Sequence, residues 1–144
     1  MSASADTHYS CNGRPADPAS LAAALVNYGH FTSLQVRASA VQGLDLHLER
    51  LRHGTQALFG SALDGAQVQD WMMQALDAAG RVDASMRVSV FSRHFDFRDP
   101  LAAVPVDVLV AVSAPVELRQ PRAVCSVRYQ RELPALKHAG TFGL

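Results

Sequence analysis

Apolar residues recur along this chain with two different periods, one typical of strands and one typical of helices. In residues 31–37, Leu34 and Val36 alternate with polar side chains, and Val41 begins a return strand after a turn at residues 38–40. A period of two puts successive side chains on opposite faces of a strand. This region therefore predicts a β-hairpin.

Two amphipathic helices follow the hairpin. Residues 44–59 place their apolar side chains within about a 100° sector of a helix, and Gly60 ends the pattern. Asp64 is a suitable N-cap for a second helix, which Gly80 ends. The predicted buried positions are Leu44, Leu48, Leu51, Leu58 and Phe59 in the first helix and Val68, Trp71, Met72, Ala75 and Leu76 in the second.

The strand pattern returns after Gly80 in three stretches. Residues 86–91 and residues 123–129 alternate in side-chain type. Residues 106–112 form a nearly continuous apolar run, which is typical of a strand buried on both faces. The sequence therefore predicts three strands in this part of the chain.

The N-terminal region predicts a smaller hairpin. An Asn-Gly pair at residues 12–13 separates residues 8–11 from residues 14–16, and it supplies the positive φ angles of a tight turn. An Asp-Pro pair at residues 17–18 ends the hairpin. Residues 21–26 are apolar and fit either a short helix or a strand, because so short a run shows no clear period.

These elements predict a fold class and a division of the chain. Strands, two helices and three further strands are typical of an α+β domain with a mostly antiparallel sheet. Residues 1–7 are expected to be a disordered N-terminus, and residues 8–130 a single N-terminal α+β domain. Residues 131–144 would be a lysine-bearing segment that leads into a second domain, which is absent from the given sequence.

Composition excludes several classes of protein. The chain has 144 residues, of which 49% are hydrophobic and 18% charged, a balance that suits a globular domain. Thirteen basic and thirteen acidic side chains cancel, so nothing indicates nucleic-acid binding. The apolar stretch at residues 104–116 is interrupted and too short to cross a membrane. The N-terminus lacks the features of a secretory signal, so a cytoplasmic location is expected.

Common motifs of metal and cofactor binding do not occur. The sequence lacks the GxGxxG, P-loop, HExxH and GxSxG patterns. Its six histidines are scattered, so we expect no zinc site. Cys11 and Cys125 do not have metal-binding spacing, and they are expected to be free thiols rather than a disulfide.

Lys137 is the strongest candidate for chemistry. A lysine amine is nucleophilic only when unprotonated, which burial or neighbouring positive charge promotes. Its neighbours, residues 133–136 and 139–142, are apolar or small. They favour a buried amine, although a surface lysine near a terminus would have the same spacing.

Arginines supply a second set of candidates. Arg50 lies beside the apolar stripe of the first helix, one turn after His47. Two interpretations of Arg50 are open. It either binds an anion such as phosphate or is an ordinary surface arginine. A further basic group would bind a carboxylate unless Asp96 and Asp99 neutralise it. That group consists of Arg87, Arg93, His94 and Arg98.

Several of these features occur in the order found in a known enzyme family. Within residues 27–60 the chain reads GHFT at residues 29–32 and HLERL at residues 47–51. These resemble a strand and the "HxxRL" helix in the N-terminal domain of class IV aminotransferases, the fold-type IV pyridoxal-phosphate enzymes. Residues 87–93 look like the family's next strand, and residues 128–144 resemble the segment that carries its Schiff-base lysine.

The resemblance implies roles for five side chains. Lys137 would bind pyridoxal 5′-phosphate covalently and move protons during catalysis. Arg50 would hold the cofactor phosphate. Phe31 would line the substrate pocket, and Arg98, or Arg93 in its place, would contact the substrate carboxylate.

The resemblance also implies an activity. It is amino-group transfer between an amino acid and a keto acid, in a homodimer. Lyase chemistry on an aminated chorismate is the alternative, since Phe-Thr-Ser at residues 31–33 is closer to the lyase branch.

The length of the chain departs from the family pattern. Family members are nearly twice as long, and their second domain supplies the glutamate that pairs with the pyridine nitrogen. Residues 141–144 are apolar and lack a helix cap or a polar tail. The chain is therefore expected to be either a fragment or a truncated relic, and a relic would serve as a non-catalytic module for dimerisation or binding.

Overall fold

An antiparallel sheet forms the centre of this computed structural model, which describes residues 7–116, 121 and 123–140. The strands are β1 (His8–Cys11), β2 (Arg14–Pro15), β3 (His30–Arg37), β4 (Ala40–Val41), β5 (Ala84–Phe91) and β6 (Asp107–Ser113), and the helices are α1 (Pro18–Ala24), α2 (Leu44–Phe59) and α3 (Gly65–Ala78). The order of the strands in the sheet is β2-β1-β6-β5-β3-β4. The predicted α+β class with an antiparallel sheet is confirmed.

Helices α2 and α3 have the bounds that the sequence predicts, because local signals fix both helices. Gly60 ends α2 with a φ of 63°, a left-handed conformation that glycine adopts readily. Asp64 caps α3, where its carboxylate accepts a hydrogen bond of 2.9 Å from the N–H of Ala66. Both helices bury their apolar stripe against one face of the sheet.

The N-terminal region contains a third helix where the sequence predicted two helices in all. Helix α1 includes most of the apolar run at residues 21–26, which the sequence alone left open between a helix and a strand. The helix begins at Pro18, whose missing N–H costs no hydrogen bond in a first turn. Asp17 caps it by accepting a 2.6 Å hydrogen bond from the N–H of Ser20. The preceding Asn-Gly turn is as predicted, with φ angles of 50° at Asn12 and 75° at Gly13.

The second face of the sheet is only partly covered. The strand register places Phe31, Ser89 and Leu109 in one row on this face. Helix α1 packs over Leu109, Cys11 and Phe91 at one end of the face. In the described part of the chain, no helix covers the other end, where Phe31 lies.

The prediction of a strand at residues 123–129 is wrong. These residues follow an irregular path, and the side chains of Val124 and Val127 are 89% and 81% exposed. A strand requires a neighbour that satisfies its backbone hydrogen bonds. Among the described residues, no strand pairs with this stretch, so its alternating pattern does not produce a strand.

Other predictions concern the cysteines, the membrane and the chain ends. Cys11 is buried, Cys125 is exposed, and both are free thiols. None of the helices in the described part of the chain is long and hydrophobic enough to cross a membrane. The predictions about residues 1–6 and 141–144 fall outside the described residues.

A buried histidine joins β3 to α2. The Nε2 atom of His30 lies 3.0 Å from the Oγ1 atom of Thr55, which donates its own hydrogen to the carbonyl of Leu51 at 2.9 Å. Thr55 must therefore accept from His30, which places the imidazole hydrogen on Nε2. Burial lowers the pKa of His30 to about 4, so the ring is neutral at physiological pH.

We predict that His30 makes the protein sensitive to acid. Its folded pKa of about 4 lies below the ordinary histidine value of 6.5, so the unfolded chain binds the proton first as pH falls. The stabilisation is complete above pH 6.5 and is lost towards pH 4, with a loss of about 3 kcal/mol from this residue. Urea unfolding followed by circular dichroism across this range measures the loss.

The matched variants for this test are His30→Gln and His53→Gln. His30→Gln should be less stable at neutral pH but should lose less stability on acidification. His53 is exposed on α2, so His53→Gln should keep the wild-type dependence on pH. An equal acid response in His30→Gln and the wild type would contradict the prediction.

Gly54 is predicted to be required where α2 passes β3. A Cβ atom at this position would lie 2.7 Å from Nδ1 of His30, whose ring the hydrogen bond to Thr55 holds in place. Gly54→Ala should therefore destabilise the protein by about 1–2 kcal/mol in urea unfolding, despite its better helix propensity. In the control Gly65→Ala, the new methyl meets Leu48 at an ordinary 3.8 Å, so no loss is expected.

Candidate functional site

Lys137 is fixed at the start of β3 by backbone hydrogen bonds. The N–H of Phe31 donates to the carbonyl of Lys137 at 2.9 Å, and the N–H of Ala139 donates to the carbonyl of Gly29 at 2.7 Å. His138 and His30 form an antiparallel bridge between these two bonds. The lysine is therefore half-buried against the sheet, although it belongs to a segment without regular secondary structure.

The side chain of Phe31 lies between two cations. The Cζ atom of Arg87 is 3.5 Å from the centre of the phenyl ring, and Nζ of Lys137 is 5.0 Å from it. Both distances are typical of cation–π contacts. They explain why Phe31 is only 8% exposed on a sheet face that no helix covers at this end in the described residues.

Helix α2 adds two side chains on the other side of β3. His47 and Arg50 are one helical turn apart, and both are half-buried. Nδ1 of His47 lies 2.6 Å from Oγ1 of Thr32, the neighbour of Phe31 on β3. Because strand side chains alternate between faces, Phe31 contacts the lysine while Thr32 contacts the helix.

The surroundings of Lys137 lower the pKa of its amine. Burial lowers the pKa of Lys137, and Arg50, Arg131 and Arg87 lower it further. Burial, Arg50 and Lys137 likewise lower the pKa of His47. Lys137 is also the only lysine of the sequence. The cluster therefore combines a partly desolvated amine with several positive charges, as a nucleophilic lysine near an anion requires.

Arg93 and Arg98 lie in other surroundings. Arg93 makes two hydrogen bonds to the carboxylate of Asp107, of 3.0 and 2.7 Å, beside a cleft of about 390 Å³ that also contains Cys11. Arg98 is exposed in the loop after β5, where its N–H donates to Asp96 at 2.9 Å. Among the described contacts, none connects either arginine with Lys137. Their role as carboxylate contacts stays a prediction.

Sequence reasoning gave no specific role to four members of the cluster. They are Thr32, His47, Arg87 and Arg131. Arg87 was one of several candidate arginines, but only the register of β3 against β5 shows that it lies beside Phe31. An alternating strand identifies the face of an arginine and not its neighbour on the next strand.

The described residues offer no alternative metal centre. They contain no group of three or more His, Cys, Asp or Glu side chains placed to hold a metal ion. His47 contributes instead to a wide cleft of about 710 Å³, together with Ser33, Gln35 and Arg37. This cleft runs along the edge of β3 next to the Thr32–His47 bond.

Comparison with known proteins supports a specific fold. No protein-family model and no curated protein sequence matches this chain. The branched-chain amino acid aminotransferase of Escherichia coli is a similar solved structure, with a TM-score of 0.63 and 13% identity over 94% of this chain and 52% of that chain. The 4-amino-4-deoxychorismate lyase of Pseudomonas aeruginosa gives 0.50 and 24%, over 74% of this chain and 39% of that chain.

A third solved structure agrees with these two. It is a hypothetical aminotransferase from Mycobacterium tuberculosis in its PLP-bound form, with a TM-score of 0.52 and 19% identity over 78% of this chain and 41% of that chain. The present chain spans about half the length of these structures or less. Such identities show the fold alone. The chain has the fold of the N-terminal part of class IV pyridoxal-phosphate enzymes, which confirms the resemblance at the level of the fold.

We predict that the reactivity of Lys137 depends on the cations around it. Arg50→Gln and Arg87→Gln each remove a positive charge that lowers the pKa of Lys137, so its pKa should rise in both variants. Acetylation of the amine by a small reagent at neutral pH should then be slower. Peptide mass spectrometry measures the acetylation rate at Lys137.

Arg52→Gln is the matched control for these variants. Arg52 lies on the same helix, but it is exposed and paired with Glu49. Its replacement should leave the acetylation rate at Lys137 unchanged. Equal rates in all three variants and the wild type would show that the arginines do not activate the amine.

Proposed function

We propose that this chain provides the N-terminal domain and the cofactor-binding lysine of a pyridoxal-phosphate-dependent class IV aminotransferase. The observation that carries the proposal is the amine of Lys137, which is partly desolvated and flanked by Arg50, Arg87 and Arg131. The fold shared with the N-terminal part of such enzymes supports it. The substrates would be an amino acid and a keto acid.

The residues present fit pyridoxal phosphate, which carries an aldehyde and a phosphate. An aldehyde condenses with an unprotonated amine, and Lys137 has a lowered pKa. The guanidinium of an arginine suits a phosphate, and Arg50 is within electrostatic reach of Lys137. When bound, the cofactor supplies the electron sink that the side chains of a protein lack.

The side chains near Lys137 would then bind the cofactor and the substrate and move the protons. Nζ of Lys137 would attach the cofactor and hold or release a proton near the reacting carbon. Arg50 would hold the phosphate, and Phe31 would form one wall of the substrate pocket. We assign the substrate carboxylate to Arg87, because its guanidinium carbon lies 3.5 Å from the centre of the Phe31 ring, which Lys137 also contacts. The contacts of Arg93 and Arg98 give their predicted roles no support.

A lysine and one phosphate-binding arginine do not complete such a site. A partner for the pyridine nitrogen and further phosphate donors are also required. We propose that a second domain supplies them, with residues 8–130 forming the first domain and residues 131–144 leading into the second. The chain spans 52% of the length of the Escherichia coli aminotransferase, which supports this division. A cytoplasmic homodimer is part of the same proposal.

Lyase chemistry is the second candidate. The residue after Phe31 is Thr32, and its hydroxyl binds His47 instead of presenting a carboxylate to the site. The similarity to the Pseudomonas aeruginosa lyase, at 24% identity, points the same way. Assays with amino acids and with an aminated chorismate would distinguish the two activities.

A non-catalytic module is the third candidate. Its motivation is the apolar side chains exposed between residues 123 and 133, namely Val124, Val127, Tyr129 and Leu133. A docking or dimerisation surface would bury them. A purified chain that buries these side chains in a complex but never binds the cofactor would favour this candidate.

Cofactor trapping tests the leading proposal directly. Pyridoxal phosphate should give an absorbance band with the full-length protein, and borohydride should fix the cofactor to Lys137. Lys137 is the only lysine in residues 1–144, and peptide mapping distinguishes it from the N-terminal amine and from any lysine of the proposed second domain. Lys137→Arg keeps the charge but should abolish the band. A band that persists in Lys137→Arg, or no band in the wild type, would contradict the proposal.

A further inference from the structure

The bond between Thr32 and His47 determines where the imidazole carries its hydrogen. Thr32 is fully buried, and among the described residues the only hydrogen-bond partner of its hydroxyl is Nδ1 of His47, at 2.6 Å. If Nδ1 carried the hydrogen, the hydroxyl would accept it and its own hydrogen would have no acceptor. A buried donor without an acceptor is costly. The hydroxyl therefore donates to Nδ1, and the neutral ring carries its hydrogen on Nε2.

This arrangement opposes protonation of His47. An imidazolium needs an acceptor for both ring nitrogens, but the Thr32 hydroxyl is used as a donor in the neutral state. Burial and the charges of Arg50 and Lys137 act in the same direction. From the strand side, Arg37 lines the same cleft as the ring. Among the described residues, the charged groups that act on His47 or line its cleft are Arg50 on α2, Arg37 on β3 and Lys137, and all three are cations.

The lysine is tied to the same strand position. Thr32 follows Phe31, whose N–H donates to the carbonyl of Lys137 at 2.9 Å and whose ring lies 5.0 Å from Nζ. The imidazole and the amine are therefore held on either side of two consecutive residues of β3. Coupling between two charges is reciprocal, so a change of charge on one group alters the proton affinity of the other.

We propose that Thr32 fixes His47 as a neutral Nε2–H imidazole, and that His47 and Lys137 form a coupled pair in which the imidazole gains proton affinity when the amine loses its charge. Solvent supplies and receives the protons, so no direct transfer between the two groups is required. In the proposed enzyme, whose function this inference deepens, any step that leaves the nitrogen of Lys137 uncharged raises the proton affinity of His47. Uptake of a proton by His47 would then restore part of the positive field around the phosphate held by Arg50.

The position of the hydrogen can be measured in the wild-type protein, once a variant has identified the signals of His47. Long-range proton–nitrogen spectra of full-length protein labelled at the histidine ring nitrogens distinguish the two neutral forms, and His47→Gln identifies the His47 signals. We expect an unprotonated Nδ1 and a protonated Nε2. A hydrogen on Nδ1, or a mixture of both forms, would overturn the assignment. Thr32→Ser should keep the single form and Thr32→Val should lose it.

The coupling is tested by following the pKa of His47 in variants of Lys137. Lys137→Gln removes the charge, so the pKa of His47 should rise, while Lys137→Arg keeps the charge and should leave it near the wild-type value. Signals of His53, which is exposed on the same helix, should not change between these proteins. The same pKa of His47 in Lys137→Gln and the wild type would refute the coupling.

These measurements need no cofactor, so they are independent of the trapping experiment. Failure of trapping with a normal response in Lys137→Gln would refute the proposed function and leave the pair intact. Successful trapping with an unresponsive His47 would refute the pair alone.

Discussion

The short antiparallel pairing between residues 29–31 and 137–139 is the contact on which the candidate site depends. It consists of two backbone hydrogen bonds, from Phe31 to Lys137 and from Ala139 to Gly29. Backbone pairing fixes a residue more firmly than a side-chain contact does, because it restrains the chain on both sides of the residue. A lysine without regular secondary structure is thereby held against an aromatic ring and within electrostatic reach of Arg50 on α2.

This pairing brings together cations that repel one another. The charged groups that shift the pKa of Lys137 are Arg50, Arg131 and Arg87, and all of them lower it. A folded domain gains nothing from such a cluster unless an anion offsets the repulsion. Two other arginines of the described chain have carboxylate partners, since Arg93 pairs with Asp107 and Arg52 pairs with Glu49. This difference supports the proposal that the cluster around Lys137 binds an anionic ligand.

The sequence predicted elements that local chemistry determines and failed where distant partners decide. The capping residue Asp64 and the helix-ending Gly60 set α2 and α3 within their own turns. The stretch at residues 123–129 has strand periodicity, but a strand also needs a neighbour, which alternation does not indicate. For the site, residue type suggested Lys137 and Arg50, whereas the importance of Arg87 follows only from the register of β3 against β5.

The partly covered face of the sheet bears on whether the domain binds a ligand or a protein there. Helix α1 has seven residues and is therefore about 10 Å long, enough to cover only the end near Leu109. Around Phe31, the neighbours on this face are Ser33, Arg87 and Ser89. A surface built for a permanent protein interface is apolar at its centre, whereas a substrate pocket places a few polar groups around an aromatic wall. The polar groups next to Phe31 therefore support the proposed ligand site at this end of the face rather than a docking surface.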